Sequence, residues 1–367
     1  MGGSALVVGA GIVGAAIADR LQGAGWQATL FEAALPAGGA TAAAMGHLLL
    51  LEDSPEQLAF TARGVDLWRR EELPAACARE DRGTLWVAQD AGELAEARAT
   101  AERYRRLGLE AEPVDAARLR AEEPALRPGL AGGLLVPGDQ VLYPVGAARF
   151  LLDRALARGA RLVREAVRAL EPGGLRTDSG PVRGDAVVLA AGLGCPALLP
   201  ELAIRPRKGH LAITGRVPGL LRHEVMEWGY ARSAHGRSGA TVACNLQPRA
   251  TGQVLIGSSR EFAGLDPAPN RALLARMLER AVAFLPALAQ VPVVRVWTGF
   301  RPCGPGNLPS IGPWPGRPGL WVASGHEGIG ITTALATAEL IAHHLLGTPT
   351  VLDPAPFLPA VPEAAHG

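Results

Sequence analysis

The stretch from Ala5 to Glu32 constrains the fold of this chain more than any other part of the sequence. Its letters, ALVVGAGIVGAAIADRLQGAGWQATLFE, form an apolar run, a glycine-rich turn, a helical segment and a second apolar run that ends in an acid. That order of strand, turn, helix, strand and acid is typical of a dinucleotide-binding βαβ unit. The sequence therefore predicts a phosphate site where the helix begins.

Each glycine of this turn has its own predicted task. Gly9 allows the tight turn after the strand, Gly11 lets backbone N–H groups approach a pyrophosphate, and Gly14 lets the helix pack on the strand. Ile12 and Val13 lie between them, in the first turn of the helix. Unpaired N–H groups and the helix dipole both favour negative charge at that position.

Glu32 ends the second apolar run, at about the interval from the glycines that is expected of the ribose-binding acid. A carboxylate there accepts hydrogen bonds from ribose hydroxyls and repels a 2′-phosphate. FAD or NAD therefore fits the motif, and NADP does not.

A signal peptide or membrane anchor is the alternative interpretation of the apolar run from Ala5 to Ala18. The run is shorter than the roughly 18 residues expected of a membrane span, no basic segment precedes it, and Asp19 and Arg20 continue the helix. We therefore expect no membrane span here.

The composition narrows the function further. At 367 residues, with 48% hydrophobic and 19% charged residues, the chain is long enough for two globular domains. The net charge of +1 predicts no nucleic-acid surface. The four cysteines have no CxxC spacing and the eight histidines form no HExxH motif, so we expect no metal site and a reducing, cytoplasmic location.

The later part of the chain contributes to the same sheet and adds a second one. The apolar run Asp185–Gly192 predicts a buried strand that rejoins the N-terminal sheet. Short strand patterns at Leu211–Thr214, Ala240–Leu246 and Val254–Gly257 predict an antiparallel sheet in a second domain. A further glycine turn, GHEGIGITT, opens onto a helix near the C-terminus.

Four motifs in this order resemble the D-amino-acid oxidase/glycine oxidase superfamily of FAD enzymes over nearly the whole chain. They are VVGAGIVGAAIA with its acid, VVLAAGLG, RKGH, and GFRP followed by LPSIG and GLWVASGHEGIGITTA. Within the superfamily, TAAAMGHLLLLEDSPEQLAFT, PGDQVLYPV and GHEGIGITT look most like the flavin-carrying beta-type subunits of bacterial D-hydroxyproline dehydrogenases.

The resemblance implies an α/β fold with a discontinuous Rossmann-like FAD-binding domain and a substrate domain whose sheet is mainly antiparallel and covers the flavin. We expect the FAD-binding domain to comprise residues 1–80, 141–205 and 296–350, the substrate domain residues 81–140 and 206–295, and a C-terminal tail residues 351–367.

The resemblance also implies which residues bind FAD. Gly9, Gly11, Gly14 and Glu32 match the positions that bind the ADP half. The other implied cofactor-binding residues are Ile12, Val13, Thr41, Ala42, Ala43, Met45, Gly46, His47, Val167, Ala190, Ala191, Gly192, Arg301, Gly325, Glu327, Gly328, Ile329, Gly330, Ile331 and Thr332.

For the substrate, Arg301 of GFRP matches the arginine that holds the substrate carboxylate, a task that suits a planar guanidinium. Glycine oxidases carry a second carboxylate contact, a tyrosine, where this chain has Asn245; Tyr143 or Tyr230 is the candidate to replace it. Cys303 does not match the flavin-linking cysteine of sarcosine oxidases, so the implied FAD is non-covalent and Cys303 is expected to be a buried thiol.

The implied reaction is hydride transfer from Cα of a D-amino acid, D-hydroxyproline or D-proline, to flavin N5. The candidate catalytic residues are Arg301, His47, Glu327 and Tyr230. The polar candidates near the ring are His47, Glu327 and His210, and His47 or Glu327 could equally be a structural group. The alternatives are a glycine/sarcosine-type amine oxidase that uses oxygen, an NAD-dependent dehydrogenase, and a flavin subunit that is inactive alone. Two kinds of partner stay open: an iron–sulfur or second flavin subunit, or further copies of this chain.

Overall fold

A computed structural model describes residues 2–230, 239–306 and 308–360 of the chain. The chain divides into two compact units. Unit 1 comprises Met1–Ala78, Leu142–Pro206 and Phe300–Gly367, and unit 2 comprises Arg79–Val141 and Arg207–Gly299.

Helices and strands alternate along most of the chain. The helices are α1 (Ile12–Gly23), α2 (Gly39–Ala43), α3 (Pro55–Arg69), α4 (Ala91–Arg106), α5 (Ala116–Glu122), α6 (Pro144–Ala157), α7 (Cys195–Leu198), α8 (Arg271–Phe284) and α9 (Gly330–Leu346). The strands are β1 (Ser4–Val8), β2 (Gln27–Phe31), β3 (His47–Leu48), β4 (Thr84–Ala88), β5 (Glu112–Asp115), β6 (Gly132–Val136), β7 (Gln140–Val141), β8 (Arg161–Val163), β9 (Val167–Glu171), β10 (Gly174–Thr177), β11 (Gly180–Arg183), β12 (Ala186–Leu189), β13 (Arg205–Arg216), β14 (Glu224–Glu227), β15 (Thr241–Pro248), β16 (Gln253–Arg260), β17 (Val293–Cys303), β18 (Ser310–Pro313) and β19 (Leu320–Ser324).

Unit 1 is built on a six-stranded sheet with the order β18-β19-β12-β1-β2-β8. Strand β1 lies inside it, parallel to β12 and β2, so Ala5 is opposite both Ala186 and Ala28. The prediction that Asp185–Gly192 rejoins the N-terminal sheet is therefore confirmed. Because β1, β2, β12, β8 and β19 run in parallel, their carboxyl ends lie at one edge, where open α/β sheets bind ligands.

Packing against other helices holds α1 and α9, the two helices that begin near that edge. Helix α1 packs against α6 and α9, and α3 packs against α9. Arg154 of α6 donates from Nη2 to Asp19 of α1 at 2.7 Å and from Nη1 to Glu71 at 2.6 Å. The indole Nε1 of Trp68, which is fully buried, donates to the carbonyl of Ile331 at 3.0 Å. The first turn of α9 is thus held by the end of α3.

Unit 2 is built on an eight-stranded sheet with the order β17-β13-β16-β15-β14-β4-β6-β5. The pair β14–β4 is parallel, while the pairs of β15 with β14 and β16 are antiparallel. One face packs on α8, where Leu246 and Ile256 lie in the same buried cluster as Met277 and Phe284. The mixed α/β fold with a mainly antiparallel second sheet is therefore as predicted.

Short polar side chains cap the starts of three helices. Ser54 accepts a hydrogen bond from the Gln57 N–H, Asp115 from the Arg118 N–H, and Asn270 from the Leu273 N–H. Each of these short polar side chains satisfies a backbone donor in the first turn that has no partner inside its helix.

The strands of unit 2 are longer than predicted. Strand β13 begins at Arg205, six residues before the predicted Leu211, and β15 ends at Pro248, two residues after the predicted Leu246. Strand β17 continues to Cys303, so Arg301 and Pro302 lie in an extended strand rather than after it. Since β17 is an edge strand, a proline without an N–H is tolerated there.

The C-terminal segment packs on unit 1 up to the last described residue. Leu352 and Phe357 are buried, and the ring of Phe357 lies 4.6 Å from that of Phe60. Residues 361–367 of the expected tail lie outside the described residues. The assignment of the two units to FAD binding and substrate binding stays a prediction.

Gly14 and Gly23 give a matched test of the packing of α1. A Cβ on Gly14 would lie 1.9 Å from the carbonyl oxygen of Gly9, whereas one on Gly23 would meet only the flexible end of Arg158 at 3.2 Å. We expect Gly14→Ala to lower the free energy of unfolding by about 1–3 kcal/mol through overpacking, and Gly23→Ala to change it by less than about 1 kcal/mol. Urea denaturation of both variants measures this; equal effects would show that α1 does not need a glycine at position 14.

Candidate active site

The turn between β1 and α1 is shaped to receive an anionic group. Gly9 has φ of 103°, and a Cβ there would lie 2.6 Å from the carbonyl oxygen of Ala190. The N-cap residue Gly11 has no side chain, and the Ile12 N–H is bound by Thr41 Oγ1 at 3.1 Å. Apart from the Ile12 N–H, the start of α1 therefore presents backbone without an N-cap side chain at the carboxyl end of β1, as a pyrophosphate requires.

Glu32 is held in place by the backbone at the end of β2. Its Oε2 accepts the Ala10 N–H at 2.9 Å and its Oε1 accepts the Ala34 N–H at 2.8 Å. A carboxylate offers about four acceptor sites, so two such bonds orient the group and leave capacity for ribose hydroxyls. Val167, the predicted adenine contact, packs on the same apolar cluster as Phe31, next to Glu32.

The segment around His47 and the start of α9 meet in unit 1. Thr332 Oγ1 donates to the carbonyl oxygen of His47 at 2.9 Å, and both residues are buried. Two segments predicted to lie beside the flavin, far apart in sequence, are thus joined by a direct hydrogen bond. His47 itself is 9% exposed.

The end of β12 lies between β1 and β19. The Ala190 N–H donates to the carbonyl of Val8 at 2.9 Å, and Ser324 Oγ donates to the carbonyl of Gly192 at 3.2 Å. Ala190, Ala191 and Gly192 therefore lie at the same sheet edge as the β1–α1 turn.

The turn before α9 brings Arg301 and Glu327 together. Glu327 has φ of 46°, an uncommon value for a residue with a side chain, and its N–H donates to the carbonyl of Pro302 at 2.9 Å. Arg301 Nε lies 3.9 Å from Glu327 Oε1, and the two side chains are 20% and 24% exposed. At that distance the contact is an ion pair without a hydrogen bond.

His326 is a buried residue of this turn that lies in the GHEGIGITT motif but was not among the predicted site residues. Its ring is 4% exposed, and Nε2 lies 2.9 Å from Thr337 Oγ1. Burial lowers the pKa of the imidazole to about 3, so the ring is neutral at physiological pH. No short motif could reveal this contact, because Thr337 lies two turns inside α9.

Unit 2 carries the other candidates. The ring of Tyr230 lies 6.2 Å from Trp86 and stacks under the guanidinium of Arg260 at 4.5 Å. Asn245 of β15 is 3% exposed, and no hydrogen bond from the described residues reaches its Oδ1. Arg260, which is also buried, had no sequence signal that set it apart from other arginines.

For three other candidate residues, the structure shows the local contacts or the exposure. His210 is 1% exposed; its Nε2 accepts the Asn270 N–H at 2.9 Å and its Nδ1 lies 2.8 Å from Ser259 Oγ, so it fixes the loop that precedes α8. Tyr143 is 47% exposed at the start of α6. Cys303 is a free thiol of intermediate exposure, which corrects the expectation that it is buried: the edge strand β17 leaves it partly uncovered.

Two further observations concern the described part of the chain. No helix there is both long and apolar enough to cross a membrane. Nor do three histidine, cysteine, aspartate or glutamate side chains among those residues converge in a way that could hold a metal ion.

Comparison with known proteins places the chain in a family. A model of the family DAO, FAD dependent oxidoreductase, matches residues 4–344. The glycine oxidase of Pseudomonas aeruginosa is 30% identical, with 97% of this chain and 98% of that protein covered. Hydrogen cyanide synthase subunit HcnC of the same species is 29% identical, with 77% and 67% covered. The crystal structure of glycine oxidase from Geobacillus kaustophilus superposes with a TM-score of 0.85 at 26% identity, covering 97% and 98% of the two chains.

The chain therefore belongs to the DAO family of FAD-dependent oxidoreductases. Within that family it is of the glycine oxidase type, an FAD-dependent enzyme that oxidises an amine or amino acid at a C–N bond. The backbone surface at Gly11 and the oriented Glu32 fit the pyrophosphate and ribose of that cofactor.

Glu32→Ala tests the ribose contact. Hydrogen bonds to a charged acceptor contribute about 1.5–3 kcal/mol, so we expect FAD to bind the variant apoprotein roughly ten- to a hundredfold more weakly. Glu102→Ala is the control, because Glu102 is exposed on α4 and pairs with Arg105. Fluorescence titration with FAD measures both; unchanged affinity in Glu32→Ala would mean that the carboxylate faces elsewhere.

Flavin that stays on the polypeptide after acid precipitation of the wild type would contradict non-covalent binding.

The buried ring of His326 predicts a pH dependence of stability. The folded ring stays neutral down to about pH 3, whereas an exposed histidine protonates near 6.5. Between these values the unfolded chain binds one more proton, so acid favours unfolding. We expect the stability of the wild-type apoprotein relative to His326→Phe to fall by about 2 kcal/mol between pH 7.5 and pH 5. Parallel pH profiles in urea denaturation would contradict this assignment.

Proposed function

We propose that this chain dehydrogenates a D-configured cyclic amino acid, D-hydroxyproline or D-proline, to the imine. Bound FAD supplies a two-electron acceptor, and a hydride passes to it from the substrate Cα. The observation that carries the proposal is the position of Arg301 beside Glu327, in the turn that opens α9. The resemblance of the segments around His47 and Glu327 to hydroxyproline dehydrogenase subunits supports the choice of substrate.

Arg301 is proposed to hold the substrate carboxylate. A guanidinium binds a carboxylate through two parallel hydrogen bonds, which fixes both the position and the plane of the group. With the carboxylate fixed, only one enantiomer directs its Cα–H at the acceptor while its ring fits the remaining space. Glu327, 3.9 Å from Arg301, is placed to orient the guanidinium or to accept a bond from the substrate amine.

The start of α9 is proposed to lie at the flavin edge where negative charge develops. No side chain caps this end of α9, and Thr332 is fixed by its bond to the His47 carbonyl. A rigid helix start stabilises developing charge without reorganising during the reaction. We place residues 41–47 beside the ring and residues 190–192 near the pyrophosphate or ribityl chain, with Tyr230 as the candidate second contact to the substrate.

A glycine-type oxidase is the second candidate, and the full-length match to glycine oxidases favours it. Asn245, in place of the tyrosine expected from the resemblance, argues against the same mode of carboxylate binding.

A flavin subunit that works only in a complex is the third candidate, which the match to the subunit HcnC supports. Turnover of the isolated chain with oxygen, and then with an artificial dye, separates these candidates: a subunit of a complex is inactive in both.

Arg301→Ala tests the proposed anchor. Losing one partner of a desolvated ion pair costs about 3–5 kcal/mol, so kcat/KM should fall by roughly two to four orders of magnitude while FAD stays bound. Arg301→Lys should recover only part of the loss, because a point charge does not reproduce the two-pronged contact. Arg295→Ala is the control, since Arg295 lies on the same strand at an exposed position.

Anaerobic mixing with D-proline and D-hydroxyproline measures these effects as rates of flavin reduction. If Arg301→Ala is reduced as fast as the wild type at the same substrate concentrations, the carboxylate anchor lies elsewhere.

A further inference from the structure

The side chain of His326 crosses from the turn after β19 to the interior of α9. Its Nε2 lies 2.9 Å from Thr337 Oγ1, and His326 and Thr337 are 4% and 0% exposed. A Cβ on Gly330 would lie 3.3 Å from the Cβ of His326, so His326 packs closely on the first residue of α9. The turn is therefore fastened to the body of the helix as well as to its first residue.

Two threonines of α9 determine which group donates the proton in the bond between His326 and Thr337. Thr337 Oγ1 donates its only proton to the carbonyl of Thr333 at 2.9 Å, and Thr333 Oγ1 donates to the carbonyl of Ile329 at 2.9 Å. Thr337 can then only accept from His326, so the ring carries its proton on Nε2. The neutral ring of the buried residue can donate this bond as its Nε2–H tautomer.

The backbone of His326 is tied to the strand that carries Arg301. His326 forms an antiparallel bridge with Cys303, and the next residue, Glu327, donates its N–H to the carbonyl of Pro302 at 2.9 Å. The Ile329 N–H donates to the carbonyl of His326 at 3.0 Å. One residue thus connects the end of β17, the turn and α9.

We propose that His326 is a positioning residue for the redox step: through its Nε2–H bond to Thr337 it fixes the start of α9 relative to the end of the strand that bears Arg301. This inference rests on the proposed placement of the flavin edge at residues 325–332. Without the bond, the turn loses a side-chain link to the body of α9. The helix start then loses its fixed direction toward the charge that forms on the reduced ring.

The consequence is a change in the flavin's affinity for negative charge. A fixed helix start favours the anionic reduced ring over the neutral oxidised ring. Sulfite tests the same property without an amino-acid substrate, because it adds reversibly to N5 of oxidised flavin and leaves negative charge on the ring. We expect His326→Phe to weaken sulfite binding about tenfold, which corresponds to about 30 mV lower potential for a two-electron couple.

The experiment uses the FAD-loaded full chain of four variants. His326→Phe removes the donor and keeps a planar ring. Thr337→Val removes the acceptor with little change in volume, and it keeps the test usable if His326→Phe folds poorly. The double variant measures coupling between the two. His343→Phe is the matched control, a histidine in the last turn of the same helix.

The inference predicts that His326→Phe and Thr337→Val each weaken sulfite binding and lower the potential, that the double variant is no worse than either single one, and that His343→Phe matches the wild type. Wild-type sulfite affinity and potential in both FAD-loaded single variants would overturn it. Additive losses in the double variant would also overturn it, because the two groups would then act independently. None of these readouts uses an amino acid, so a wrong substrate class would leave them unchanged.

Discussion

The close contact between the first helix and the first strand is the constraint on which the rest of unit 1 depends. Gly14 lets α1 lie against the backbone of Gly9, where any side chain would collide with a carbonyl oxygen. This contact fixes the start of α1 at the carboxyl end of β1. The helix then provides the surface on which α6 and α9 pack. A second helix start, that of α9, is thereby brought into the same unit.

Two threonines connect these helix starts to the segment between β2 and β3. Thr41 accepts the Ile12 N–H at the start of α1, and Thr332 of α9 donates to the His47 carbonyl. Both bonds are buried, and both join residues that are far apart in sequence. In the proposed binding mode the start of α1 would face the pyrophosphate of FAD and the start of α9 would face its ring, so both anionic groups would lie at positive helix ends. Neither N-cap position carries a lysine or arginine.

Much of the fold could be predicted from the sequence because its signals are local. The glycine turn, the acid at position 32 and the caps at Ser54, Asp115 and Asn270 each depend on residues a few positions away. The end of β17 is harder to predict, because Gly299 and Pro302 are typical strand breakers that an edge strand tolerates. The contacts of His326 and His210 were not predicted, because they join residues that are distant in sequence. Their partners, Thr337 for one and Ser259 and Asn270 for the other, are set by tertiary contacts.

The proposed activity is removal of a hydride from a D-configured imino acid whose carboxylate is held by Arg301. The most direct measurement is anaerobic mixing of the FAD-loaded wild type with D- and L-hydroxyproline, D- and L-proline, glycine and sarcosine, followed by the visible absorbance of the flavin. We predict rapid bleaching by D-hydroxyproline or D-proline and little by their L-enantiomers. Bleaching by glycine or sarcosine with none by the D-imino acids would contradict this activity.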